Sequence, residues 1–249
     1  YLHAVDPEAA AQMLSRVERF LPVLKGINGY GSLGQSERDA LTGAIADLVS
    51  LLERQRFAYL ARSSKEDFDW AERAAIGARQ TDTWFRRMPL AWNLEDGLAW
   101  TQYGMQVRDR SMADNLEWVR GRIGPRGRIL VFAAVGHAAS TNTESPAAPF
   151  RGTIPLGVYL KERHGPDFIN ILNVFANGEI KYCSATPQRL IPLQAPPEAA
   201  VETLFAAVKI PRYLLDLRQA PPAVSAWLRQ VHEHWNGLQP VLFPTSGAF

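Results

Sequence analysis

Arg108-Asp-Arg-Ser-Met-Ala-Asp-Asn115 and, a short way downstream, Arg128-Ile-Leu-Val-Phe-Ala-Ala-Val135 followed by Gly136-His137 decide how this chain is read. On a helix, Met105, Met112, Leu116, Val119 and Ile123 form an apolar stripe, and Arg108 and Asn115 fall on that same stripe. An unpaired guanidinium taken into an interior costs several kcal/mol, so Arg108 needs a carboxylate, carbonyls or a wet cleft around it. The stripe therefore predicts a structured polar site. The second stretch is a continuous apolar run with β-branched residues, the pattern of a parallel strand covered on both faces. In open parallel sheets ligands sit beyond the carboxyl ends of strands, which is where His137 falls.

Upstream, the sequence predicts helices. Asp6-Pro7 is a start signal, since the aspartate caps free amides and proline occupies an early position with no lost hydrogen bond. That helix runs to about Leu24. Ser36-Glu-Arg-Asp39 opens a second amphipathic segment to about Arg62, and a third spans about Phe68 to Met88, with Pro89 ending it. A fourth runs from about Asp96 to Ile123, where Gly124-Pro-Arg-Gly127 stops it.

Downstream the period changes. Ile129 to Val135 reads as a strand, Pro155 to His164 as a helix stopped by Gly165-Pro166, and Phe168 to Phe175 as the next strand, together a βαβ unit. The long polar stretch between the first strand and the helix is a candidate functional loop. Asn177-Gly178 signals a hairpin turn into Glu179 to Ser184. Glu198 to Val208 reads as helix, Tyr213 to Leu217 as a short strand, and Pro222 to Trp235 as a last helix. The expected fold class is α/β, a mostly parallel sheet with a large helical section, the N-terminal half being helical. The expected division is a helical section over 1–125 and an α/β section over 126–249, both parts of one larger catalytic domain.

Composition narrows the function classes. The 249 residues are 47% hydrophobic and 21% charged, an ordinary globular balance that disfavours disorder. Net charge is only +2. The arginines between Arg108 and Arg128 are interleaved with Asp109, Asp114 and Glu117, the pattern of a solvated helix face and not of a nucleic-acid stripe. No apolar run approaches a membrane span and no leader pattern opens the chain, so no membrane partner is expected and a cytoplasmic location is. The chain opens at Tyr1, and Tyr1-Leu-His-Ala-Val5 reads as the middle of something already folded. The single cysteine, Cys183, makes no internal disulfide and reads as a small strand hydrophobe.

Several motifs are near misses. Gly29-Tyr-Gly-Ser-Leu-Gly34 has the letters of a dinucleotide fingerprint but no strand before it, so it reads as a turn between helices. His232-Glu-His234-Trp-Asn236 has asparagine where a zinc-binding helix needs histidine, so no metal and no other cofactor is expected. No G-x-S-x-G elbow occurs. His137 remains, either as a proton-handling group or as a satisfied structural histidine. Among the carboxylates Asp109 lies closest to the apolar face of its helix. It reads as a site carboxylate or as an intrahelical partner for an arginine, while Asp114 and Glu117 point elsewhere.

These residues resemble the erythromycin esterase family. Arg108-Asp-Arg-Ser-Met-Ala-Asp-Asn115 with Trp118 is similar to the family's R-D-x-x-M-A-x-N-x-x-W helix. Val131 to His137 resembles its V-W-A-H-N-x-H motif, and Gly157 with Leu160 its G-x-x-L helix. Asn170 to Gly178, Asp216-Leu-Arg218 and Tyr1 to Ala10 match further family segments. Ala134 stands at the motif's first histidine and Val135 at its asparagine, leaving His137 as the surviving histidine.

The resemblance implies hydrolysis of a carboxylic ester or macrolide lactone by histidine-activated water, an antibiotic-resistance chemistry, with a small-molecule ester as partner. It casts His137 and Arg108 as catalytic and Asp109, Met112, Asn115 and Trp118 as substrate-binding or supporting. It also implies an N-terminal segment carrying a further histidine and acidic residues. The alternative is a catalytically silent relative that binds a ligand or partner in the same cleft, since the methyl group of Ala134 neither donates nor accepts a proton. Hydrolysis of another bond, in a sugar or phosphate conjugate, is a third reading.

Overall fold

The computed structural model describes residues 1–22, 27–88, 104–140, 154–182, 189–228, 230–235 and 240–244. The chain divides into two compact units, Tyr1–Arg108 and Asp109–Phe249.

The first unit is helical throughout its described residues. Short α1 (Leu2–Val5) leads into α2 (Pro7–Val17), and Asp6 caps α2 by accepting the Ala9 backbone N–H at 3.0 Å. A cap of this kind is worth about 1 kcal/mol. A 3-10 turn (Glu18–Phe20) and α3 (Ile27–Gly31) follow. The next long helix, α4 (Gln35–Arg54), starts one residue earlier than its sequence signal, because the Glu37 carboxylate reaches back to the Gly34 backbone N–H at 2.9 Å. The expected run to Arg62 breaks at Gln55 and resumes as α5 (Arg56–Leu60). Ser64 caps α6 (Lys65–Arg87) through the Asp67 N–H at 3.0 Å.

Apolar spacing places the core of this unit. Leu41, Ile45, Val49 and Leu52 recur at helical intervals along α4 and divide between two clusters. One gathers Val5, Val49, Leu52, Tyr59, Phe68 and Ala75, the other Phe20, Tyr30, Leu33, Leu41, Ile45 and Phe85. A polar network runs beside the second. The buried Asp82 accepts from the Tyr30 hydroxyl at 2.7 Å and from the Thr42 hydroxyl at 2.6 Å. Arg86 donates to Thr42 at 2.7 Å and to Asp39 at 2.9 Å. Burial and the facing Asp82 carboxylate push the Tyr30 phenol well above its ordinary value.

The helix over the decisive stretch is α7 (Met105–Ile123). Its expected start near Asp96 lies outside the described residues. Gly124 ends it with φ +83°, a conformation that suits glycine, and the Gly127 N–H closes the turn on the Gly124 carbonyl at 3.1 Å. The second unit then contains a single helical turn α8 (Val135–Ala138), α9 (Leu156–His164), α10 (Val201–Ala206) and α11 (Pro222–Leu228). Gly165, at φ +51°, stops α9 at the expected Gly165-Pro166.

The strands differ from expectation. Those described form two antiparallel pairs, β1 (Glu179–Tyr182) with β2 (Arg189–Pro192) and β3 (Val231–Trp235) with β4 (Pro240–Pro244). No parallel pair occurs among the described residues. The runs 129–134, 168–175 and 213–216 enter no ladder, and Val135 starts a helical turn instead of ending a strand. Leu130 is 94% exposed and Phe132 93%. An apolar run becomes a strand only when neighbouring backbones take its N–H and C=O groups, and the described residues supply none. Gly178 opens β1, but β1 pairs with the segment after it and not with 168–175. The expected helix to Trp235 ends at Leu228, and its second half is β3. Cys183 and most of the long loop, 141–153, lie outside the described residues.

Candidate active site

The site forms where three segments of the second unit meet. α7 contributes Asp109, α8 contributes His137, and the first turn of α9 contributes the Leu156 backbone N–H. On α7, Asp109 is followed four residues later by Ala113, which is fully buried with Leu156 and Leu160 of α9. Met112, Leu116, Tyr159 and Phe168 pack around that cluster. The apolar contacts hold Asp109 inward, and it is 1% exposed.

His137 reaches it from the other side. The Ala134 carbonyl accepts the N–H groups of His137 and Ala138, at 2.9 and 3.1 Å, which winds the chain into α8 directly after the apolar run. His137 Nδ1 then lies 2.8 Å from Asp109 Oδ1 and 3.0 Å from Oδ2. Asp109 Oδ2 also accepts the Leu156 backbone N–H at 2.9 Å. That bond serves α9, because its first amides have no intrahelical acceptor and Pro155, at the capping position, offers no side-chain oxygen.

Two further contacts fix the strut that carries His137. Asn170 donates its side-chain amide to the Ala138 carbonyl at 2.6 Å. Gly157 lies so close to the Ala138 and Ala139 carbonyl oxygens that no side chain fits there. At the far end of α9, Arg163 meets Asp114 at 2.6 Å and His164 Nε2 meets Glu117 Oε1 at 2.6 Å. The matching order of partners, 109 with 156 and 117 with 164, runs α9 alongside α7 in the same direction. Asp114 and Glu117 thus hold the helix pair together. Burial pushes the Tyr159 phenol upward, with Asp109 and Asp114 adding to the effect.

Asp109 and His137 are therefore brought together, and Asp109 pairs with a histidine and an amide instead of an arginine on its own helix. Met112 serves the apolar support. Asn115 is half-buried, and Trp118 lies under the Arg122 guanidinium at 4.9 Å. Arg108 belongs to the first unit, where its guanidinium sits 5.5 Å from the Trp84 ring centre. His232 is held by stacking on Trp227 and by a 2.7 Å contact to the Trp227 carbonyl, on a strand and not the expected helix. Among the described residues no three His, Cys, Asp or Glu side chains cluster as a metal site.

Spacing alone missed Leu156, Gly157, Asn170 and His164 as parts of this assembly. Two of them left a signal: Gly157 and Asn170 fall inside the family-like segments, and a glycine in the first turn of a helix marks close backbone approach.

A neutral imidazole backed by a carboxylate can accept a proton from water or an alcohol and return it to a leaving group. A profile of the erythromycin esterase family matches residues 1–239. The chain belongs to the erythromycin esterase family. Solved structures agree at the level of the fold. A Bacillus cereus protein superposes at TM-score 0.77 and 22% identity, covering 100% of this chain and 59% of its own. A succinoglycan biosynthesis protein superposes at TM-score 0.73 and 16% identity, covering 94% and 53%. A mutant of the erythromycin esterase EreC in its open conformation gives TM-score 0.64 and 15% identity, covering 83% and 52%. This chain thus spans between half and three-fifths of the length of these neighbours. No curated protein matches it. No described helix is long and apolar enough to cross a membrane.

Proposed function

We propose that the protein hydrolyses a carboxylic ester or lactone, with His137 as the group that moves the proton. The observation that carries this is the near-buried Asp109–His137 pair, at 2.8 Å, in a chain of the erythromycin esterase family. His137 takes a proton from water as the water oxygen attacks the carbonyl carbon. The C–O bond of the tetrahedral species then breaks, and the imidazolium returns the proton to the departing alkoxide, giving an acid and an alcohol. For a lactone both products stay on one opened molecule, heavier by one water. Asn115 is assigned to the polar network and Met112 to the apolar support beneath it, with Trp118 lining.

The test is to incubate the protein with a macrolide, simple aryl esters and acylated sugars, and to follow masses. Gain of one water, or release of acid and alcohol, is expected, and His137→Ala should lower the rate by about 10²-fold or more. An unchanged rate in His137→Ala would sink the assignment. Ala134 supports a second reading, a silent relative that binds such a ligand, because a methyl group cannot carry a proton. It predicts that His137→Ala alters ligand affinity while no ester of the panel is turned over.

A further inference from the structure

We infer that Asp109 is a positioning residue that fixes His137 in the tautomer with its proton on Nδ1, leaving the lone pair on Nε2. The use of that lone pair rests on the hydrolase reading; the tautomer itself does not.

An ionised carboxylate offers only acceptors, so a ring nitrogen held at 2.8 and 3.0 Å from its two oxygens must be the one that bears hydrogen. The carboxylate cannot turn away, because Oδ2 is also engaged by the Leu156 N–H at 2.9 Å. Nor does water compete freely, with Asp109 at 1% and His137 at 8% exposure. His137 Nε2 makes no hydrogen bond to any described residue. Among the described residues the ring is thus held on one side and unengaged on the other, and a neutral imidazole in this state accepts a proton only through Nε2. Placing a carboxylate this way also stabilises the imidazolium formed when the proton arrives.

The chain has five histidines, few enough for long-range proton–nitrogen NMR on histidine-labelled protein, with His137→Gln identifying the signal by its loss. The wild type should show hydrogen on Nδ1 and an unprotonated Nε2. In Asp109→Asn the amide oxygen can keep the Leu156 N–H while the NH2 group faces Nδ1, so the ring should switch to the Nε2–H tautomer. Ester hydrolysis, where present, should then fall by about 10³–10⁴-fold with KM changed far less. Finding Nδ1–H in the wild type and its reversal in Asp109→Asn supports the inference whether or not an ester is turned over. Nε2–H in the wild type overturns it, even if hydrolysis depends on His137. So does an unchanged tautomer in a folded Asp109→Asn. Should that variant not fold, the wild-type spectrum decides alone.

Discussion

Gly157 packs backbone to backbone against Ala138, with the Ala138 carbonyl oxygen occupying the place a Cβ on Gly157 would take. The same carbonyl accepts from Asn170, and the next residue of α9 upstream, Leu156, donates to Asp109. One glycine therefore sets the distance between α9 and the turn that carries His137. Gly157→Ala should force the two backbones apart, because carbonyl groups cannot rotate aside as a flexible side chain would. Overpacking of this kind costs about 1–3 kcal/mol. In a chain of this size that is a fall of roughly 2–10 °C in Tm, measurable by circular dichroism. A variant as stable as the wild type would show that the close approach is not maintained in solution.

Asp82 is the hub of the buried network in the first unit, and removing it should cost more than removing any one of its partners. Tyr30→Phe deletes a single 2.7 Å hydrogen bond and leaves Thr42 and Arg86 beside the carboxylate. The expected loss is about 1–2 kcal/mol. Asp82→Ala strands the Tyr30 hydroxyl and part of the Arg86 guanidinium, whose Nη2 is already buried without a hydrogen bond. About 3 kcal/mol or more should follow. Urea unfolding of both variants compares them, and a smaller loss for Asp82→Ala than for Tyr30→Phe would contradict the arrangement.

The contact between Asp6 and Tyr59, 2.8 Å from the hydroxyl to Oδ2, makes stability depend on pH at both ends. The Ala9 backbone N–H first, and the Tyr59 hydroxyl second, hold Asp6 below its ordinary value of 3.8. A depressed carboxylate contributes fully above its unfolded value and loses that contribution as pH falls through the folded one. Tyr59 is pushed by burial from 10.0 to about 12, so its contribution is whole below pH 10 and lost as pH rises toward 12. Thermal unfolding of wild type and Asp6→Asn across pH should show a Tm gap that is steady near neutrality and narrows below about pH 4. A gap that persists undiminished to about pH 2 would refute the assignment.

What the sequence showed directly was local. Asp6-Pro7, Gly124 and Gly165-Pro166 start and stop helices where expected, because a cap or a positive φ is decided within a few residues. The stripe on α7 misplaced the buried face, since Val119 and Ile123 are exposed while Asp109 and Ala113 are buried, but the placement of His137 just after the apolar run was legible for the same reason. The partners were not. Asp109 meets His137 across 28 positions and Leu156 across 47, and helical spacing says which face a carboxylate occupies but not what faces it. The strand from Glu179 was legible, but the parallel strands are not seen among the described residues for a related reason: residues 129–135 carry strand composition, yet pairing is a property of two segments.

That apolar run gives a last prediction. With Leu130 and Phe132 almost wholly exposed, they contribute nothing to the packing of the described second unit. Substitutions at such positions normally shift stability by no more than about 0.5 kcal/mol. Leu130→Ser combined with Phe132→Ser should therefore move the Tm of this chain by about 4 °C or less, while reducing the fluorescence of an apolar dye, since large exposed apolar patches are what such dyes bind. A fall of about 10 °C would mean that both side chains are covered in solution, and that residues 129–134 are a paired strand after all.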